Sequence, residues 1–288
     1  MKAARRCTGV LTDAQWAWIE PLLPDRTPRR GGRWRDHRQV INAIAWKYRT
    51  GSPWKDLPAE FGSWKGAYSR LRNWAIDGTW QRVFNALLAR ADADENLNWV
   101  VSVDSTVVRA HQHAAGAQKR APSNEPADHA IGRSRGGLTT KIHLAADGNC
   151  RPLAFMVTAG QAGDAPAFID VMARIRIPRS VGRPRTRPDV VLADKAYSSR
   201  AIREHLRRRG IRTAIPVPAD QRGHRLRRGS CGGRPPAFDR EAYKQRNTVE
   251  RCINRLKQWR GIATRYEKTA TGYLAGLHVA AILIWSAR

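Results

Sequence analysis

Three acids stand where a carboxylate has little structural reason to be. Asp104 follows the apolar run VVSV and Asp194 the run VVLA, so each is expected to end a buried strand. Carboxylates at strand ends face the edge of a sheet, where ligands of α/β folds bind. If those two strands are neighbours, the acids converge, and close carboxylates repel unless a cation lies between them. Hard oxygen donors with little else suit Mg²⁺. The third acid, Glu250, is the only one between Tyr243 and Lys257, among five Lys or Arg.

Read as one continuous helix, Tyr243, Arg246, Glu250 and Lys257 fall in a stripe of about 60°. Val249, Cys252, Ile253 and Leu256 form its packing face and leave Glu250 at the edge. Packed beside the sheet, such a helix would bring a third carboxylate to a metal site and phosphate-binding groups above and below it. A plainer account stays open: Glu250 lies four residues after Arg246, and a surface ion pair at that spacing is worth about 0.3–0.5 kcal/mol.

These groups need elements to position them, and the chain's 288 residues suffice for a sizeable core. Up to about residue 95 the pattern is helical, and eight of the eleven tryptophans precede residue 81. In HRQVINAIAWKYRTG, Val40, Ile41, Ile44, Ala45 and Tyr48 share a face and Gly51 is a stop signal. A short helix through PWKDLPAEFG and a second from Ser63, with Trp64, Tyr68, Leu71 and Ala75 inward, give a helix-turn-helix-like pattern. Lys65, Arg70 and Arg72 are expected on its DNA-facing side. From Trp99 strands dominate: a first strand to Asp104, a hairpin through Asp147-Gly148, then alternating helices and strands, which imply a mixed sheet covered by helices.

The formal charge of +28 implies a polyanionic partner, and nucleic acid is favoured because bound phosphates release counterions. The loops 174–188 and 220–236 hold eleven arginines, and Arg183, Arg185 and Arg187 are expected to touch phosphates. Residues 111–137 are poor in large apolar side chains and are expected to be a mobile loop; His111 and His113 within it are read as loop hydrogen-bonding groups rather than metal ligands. Asp164 is read first as a cap of the helix that follows it, with assistance to the carboxylate site as the alternative. The apolar run Leu274 to Trp285 is too short to span a bilayer, and the basic start lacks an apolar stretch, so neither a membrane segment nor a secretory signal is expected. The four cysteines show no metal-binding spacing.

The pattern Tyr243-x2-Arg246-x3-Glu250-x6-Lys257, with Asp104 and Asp194 before it, resembles the DDE triad and YREK signature of bacterial insertion-sequence transposases. VDSTVVRAHQHAAGA, LADKAYSS and LTDAQWAWIEPLLP are similar to the branch called the IS-five family, and the resemblance runs from about Leu11 to Trp285. It implies a ribonuclease-H-like α/β catalytic domain (96–288) with a mixed sheet and adjacent first and fourth strands, after a small helical DNA-binding domain (1–95). It also implies catalytic, metal-binding Asp104, Asp194 and Glu250, with Tyr243, Arg246 and Lys257 on DNA. The implied cofactor is two Mg²⁺ ions, with Mn²⁺ able to substitute. The implied partners are double-stranded DNA, both terminal inverted repeats and target, and further copies of the chain in a homodimer or higher oligomer. A bacterial cytoplasmic location at the nucleoid follows. Some relatives insert a β-rich domain before the Glu helix; here a short Arg/Gly loop stands in its place. A DNA-binding regulator with a defunct catalytic domain is the rival reading, and the presence of all three acids speaks against it.

Overall fold

The computed structural model describes residues 11–25, 27, 34–116 and 125–287. Its helical first part contains α1 (Asp13–Ile19), α2 (His37–Thr50), α3 (Trp64–Ile76) and α4 (Thr79–Ala93). Local chemistry sets their ends. Thr12 and Gln15 form a capping box on α1, the Asp36 carboxylate accepts from the Gln39 amide at the start of α2, and Gly51 takes the left-handed conformation that ends α2. The helix expected through 53–62 is instead two 3-10 turns, Trp54–Asp56 and Ala59–Phe61, because Pro58 lacks an N–H and holds Leu57 extended.

The phase of α3 also differs from expectation. Ala67, Leu71 and Trp74 are buried, whereas Tyr68 is 45% exposed. Arg70 turns inward with them: its guanidinium lies over the rings of Trp34 and Trp74 and contacts His37 Nδ1 at 2.7 Å. Lys65 and Arg72 remain exposed.

The sheet contains β1 (Val100–Ala110), β2 (Gly132–Ser134), β3 (Gly137–Ala146), β4 (Pro152–Ala159), β5 (Val190–Ala193), β6 (Arg212–Ala214) and β7 (Thr264–Arg265). Its order is β2-β3-β1-β5-β6, with β4 also on β3 and β7 on β1. β3 runs antiparallel to β1 and β4, while β5 and β6 run parallel to β1. This mixed sheet, with the first strand beside the one before Asp194, has the adjacency expected of a ribonuclease-H-like domain. The helices α5 (Asp164–Ala173), α6 (Arg200–Arg208), α7 (Ala219–Arg227), α8 (Arg240–Lys244), α9 (Asn247–Lys257), α10 (Arg260–Ala263) and α11 (Ala270–Ser286) complete the order.

Three segments differ from their expected loop character. Within 111–137, Gly132–Ser134 is a strand and the Glu125 carboxylate accepts from the amides of Ala270 and Thr271, capping α11; residues 117–124 lie outside the described ones. Within 220–236, the absence of proline before Pro235 lets residues through Arg227 join α7. In 174–188, Ile177 and Arg185 exchange backbone hydrogen bonds.

Element type changes near residue 95, but the core does not. α11 is buried along most of its length and packs against α1, α2, α3 and α4 as well as β4. Buried side chains of the helical part and of the sheet form one continuous cluster. A buried ion pair, Lys47 with Glu267, joins α2 to the segment before α11. Among the described residues no helix is long and apolar enough to cross a membrane. α2 and α11 meet tightly at Gly276, where a Cβ would lie 2.2 Å from Tyr48 Cε1, and the Tyr48 hydroxyl donates to Gly272 O at 3.0 Å. Gly276→Ala should therefore destabilise the whole fold by about 1–3 kcal/mol, read as a lower urea midpoint; an unchanged midpoint would show that the α2–α11 contact has slack.

Candidate functional site

The β1–β5 register sets the two aspartates side by side. Val103 pairs with Ala193 at the last step of the parallel ladder, and Asp104 and Asp194 are the next residues of the two chains. Asp104 does not end its strand as expected. β1 continues to Ala110, because Asp104 through Arg109 pair with Leu144 through Thr139 of β3. Asp194 does leave its strand, and its carboxylate accepts from the Ala196 amide at 2.8 Å as the cap of the 3-10 turn Lys195–Tyr197.

Alternation along β1 sends Ser102, Asp104 and Thr106 to one face, and α9 lies across it. The Ser102 and Thr248 hydroxyls share a hydrogen bond at 2.9 Å, Arg246 Nη1 donates to Asp104 Oδ2 at 3.0 Å, and Lys257 Nζ donates to Thr106 Oγ1 at 2.6 Å and Val107 O at 3.3 Å. Arg246 Nη2 also donates to Glu250 Oε1. One guanidinium thus bridges the acid of the strand and the acid of the helix. The ion pair that offered the plain account of Glu250 is present, and it is part of the carboxylate site.

The expected single helix from Tyr243 is two. Arg246 N bonds Tyr243 O, Thr248 N bonds Gln245 O and Val249 N bonds Arg246 O, a tight i+3 pattern that ends α8 and starts α9. Tyr243 therefore leaves the stripe and packs beside Val190, Leu192 and Ala214, with its ring 5.2 Å from that of Phe238.

Charge balance explains the titration behaviour. Burial raises the Asp104 carboxyl pKa; the Ser105 amide and Arg246 lower it, and Asp194 raises it again. Burial works to lower the Arg246 pKa, but Asp104, Glu250 and Tyr243 outweigh it and hold it raised. Burial alone lowers that of Lys257.

Asp104 and Asp194 offer the hard oxygen donors that a divalent cation prefers, at neighbouring positions. Glu250 is half exposed and engaged by Arg246, and among the described residues no three His, Cys, Asp or Glu are grouped closely enough to hold a metal. The donor chemistry of the aspartate pair fits such an ion, while Glu250 joins it only if Arg246 releases it. The His111 ring makes tilted contacts with those of His113 and Tyr266, and His111 Nδ1 accepts from the His113 amide at 3.3 Å.

Of the loop arginines, Arg183 and Arg187 are exposed. Arg185 is not free as expected: it reaches Asp92 at 3.5 Å and Asp189 at 3.3 Å, and its guanidinium lies 3.9 Å from the centre of the Trp99 ring. Sequence reasoning missed Ser105, Thr106 and Tyr197 beside the aspartate pair and Lys141 behind Asp164; the only signal was their position near the acids in the chain or across the sheet. Asp164 makes no capping bond and instead accepts from Ser105 and Lys141.

Residues 11–84 match the family described as "Putative transposase of IS4/5 family", and residues 95–285 match "Transposase DDE domain". A putative transposase for insertion sequence element IS6501 of Brucella ovis is 31% identical over 148 residues, covering 51% of this chain and 98% of the relative. A putative transposase for insertion sequence element IS402 of Burkholderia cepacia is 33% identical over 153 residues, 53% of this chain and 64% of the relative. The Mos1 transposase paired-end complex aligns over 83% of this chain and 82% of that one, at 14% identity and a TM-score of 0.26, a likeness too slight to support any argument.

Since Arg246 lowers the Asp104 pKa, Arg246→Ala should raise it, as carboxyl carbon NMR would read. An unmoved titration would mean that the bridge carries no weight in solution.

Proposed function

The chain belongs to the DDE-domain transposases, and we propose that Asp104, Asp194 and Glu250 are the carboxylates with which it cuts and joins DNA. The observation that carries this reading is the register placing Asp104 beside Asp194, with Arg246 linking Asp104 to Glu250 on α9. The family depends on divalent metal. We assign two Mg²⁺ ions, replaceable by Mn²⁺, which Asp104, Asp194 and Glu250 would hold and which would supply Lewis acidity for phosphodiester cleavage.

The chain's own groups do the rest. Asp104 and Asp194 form the donor pair, and Glu250 completes it once Arg246 turns to a DNA phosphate. A guanidinium suits this exchange because its fork binds carboxylate and phosphate alike. Lys257, anchored at Thr106 farther along β1, holds the backbone beyond the cut, with Tyr243 on the other side of Arg246. The freed 3′-hydroxyl then attacks a target strand in the same site.

The DNA is double-stranded, as terminal inverted repeats and as target. Lys65 and Arg72 on the outer face of α3 serve the ends, and Arg183 and Arg187 hold duplex without reading sequence. Arg70 and Arg185 are given to packing. Two active sites must act on two ends, which favours a homodimer or larger assembly on DNA, working at the nucleoid in the bacterial cytoplasm.

Asp104→Ala, Asp194→Ala or Glu250→Ala should each lower cleavage of the element's ends by about a thousandfold or more while end binding persists, and the double variant Asp104→Ala with Glu250→Ala should be no worse than either single, because groups acting as a unit are not additive. Near-normal cleavage by Glu250→Ala would reduce it to an ion-pair partner. Arg183→Ala and Arg187→Ala should weaken binding to every duplex, each lowering the salt slope by about one, whereas Arg185→Ala should lower the melting temperature instead. Unaltered salt dependence would make the first two solvated charge only.

A further inference from the structure

The face of β1 opposite α9 carries a second set of polar groups that the reaction above does not use. Ser105 Oγ donates to Asp164 Oδ1 at 2.6 Å. Lys141 Nζ donates to the same oxygen at 2.9 Å and to Ala162 O at 2.6 Å. Asp164 is the first residue of α5, but no side chain caps that helix, so its carboxylate serves the sheet. His143, opposite Ser105 on β3, is kept neutral at pH 7 by burial, which pushes its pKa down to about 4, and Lys141 is the cation that balances Asp164.

This group touches both halves of the aspartate pair. On one side, Ser105 follows Asp104, and its amide donates to Asp104 Oδ1 at 2.8 Å. On the other, Tyr197 closes the turn that Asp194 caps, and its ring packs 5.7 Å from that of Phe168 on α5. The Tyr197 hydroxyl is buried and has no hydrogen-bond partner. Burial raises its pKa, the carboxylates of Asp164, Asp104 and Asp194 raise it further, and Ser105 lowers it. A tie that served only to dock α5 would have no reason to meet the neighbour of one aspartate and the turn of the other.

We propose that Asp164 is a positioning residue: through Ser105 it fixes how the Asp104 carboxylate faces Asp194, and so sets the affinity of that pair for a divalent cation. The proposal rests on the reading of Asp104 and Asp194 as metal ligands. Groups one step behind metal ligands typically change metal affinity by about 10–100-fold. Arg246 draws Asp104 toward α9 while Asp164 draws Ser105 toward α5, so the strand is held from both faces at this point.

The test is Mn²⁺ binding to the full-length protein, followed by electron paramagnetic resonance and without DNA cleavage as a readout. Asp164→Asn should weaken Mn²⁺ binding by about 10–100-fold, Ser105→Ala should weaken it as well, and Asp170→Asn, exposed on the same helix, should leave it as in the wild type. Asp104→Ala should abolish it. If Asp104→Ala abolishes binding but Asp164→Asn binds like the wild type, the positioning role is wrong while the metal reading stands. Should Asp164→Asn fail to fold, wild-type affinity in Ser105→Ala overturns the proposal. A wild type that binds no Mn²⁺, or an Asp104→Ala variant that still does, overturns the metal reading itself.

Discussion

Two carboxylates on adjacent parallel strands repel each other, and partial burial sharpens that repulsion. The β1–β5 ladder nevertheless ends at Val103 and Ala193, which leaves Asp104 and Asp194 no choice but proximity. The protein meets the charge with Arg246, shared between Asp104 and Glu250. Most of what surrounds the site follows from keeping that arrangement in place. α9 crosses the strand on hydroxyl and ammonium contacts at Ser102 and Thr106, and α5 steadies the other face through Asp164. A guanidinium in this position is also suited to trade a carboxylate for a phosphate, so the charge balance of the resting site and its hold on DNA would share one side chain.

The helical first part supports this site from a distance. α11 comes from the end of the chain yet forms the centre of the packing among α1 to α4, and it reaches β4 as well. The Lys47–Glu267 pair is nearly excluded from water, and removing one partner would strand the other charge. The outer face of α3 is thus connected to the sheet by packed side chains rather than by a linker. The net charge of +28 fits a surface that meets DNA on more than one side, although some arginines, Arg70 and Arg185 among them, are spent on aromatic rings.

Much of this was legible in the chain. Short apolar runs ending in Asp104 and Asp194 pointed to a shared sheet edge, and the basic helix around Glu250 pointed to the same place. The continuation of β1 past Asp104 was hidden because Asp-Ser-Thr breaks the apolar run, while pairing with β3 carries the strand onward regardless. The break between α8 and α9 has no Gly or Pro to announce it and shows only in the tightened hydrogen bonds at Gln245 and Arg246. The phase of α3 was misread because aromatic residues lie on two of its faces, and small Ala67 rather than large Tyr68 fits the close contact. The Ser105–Asp164 tie joins residues 59 apart, beyond any local pattern.

In the proposed mechanism Glu250 leaves Arg246 and joins the two aspartates when DNA is bound. Fe²⁺ substituted for the native ion, with peroxide and ascorbate, generates hydroxyl radicals that cut the polypeptide where the metal sits. With end DNA bound, the account predicts cuts near residues 104, 194 and 250 alike, and without DNA the cut near 250 should fade relative to the other two. Cuts near 104 and 194 only, unchanged by DNA, would contradict it and leave Glu250 as the ion-pair partner of Arg246.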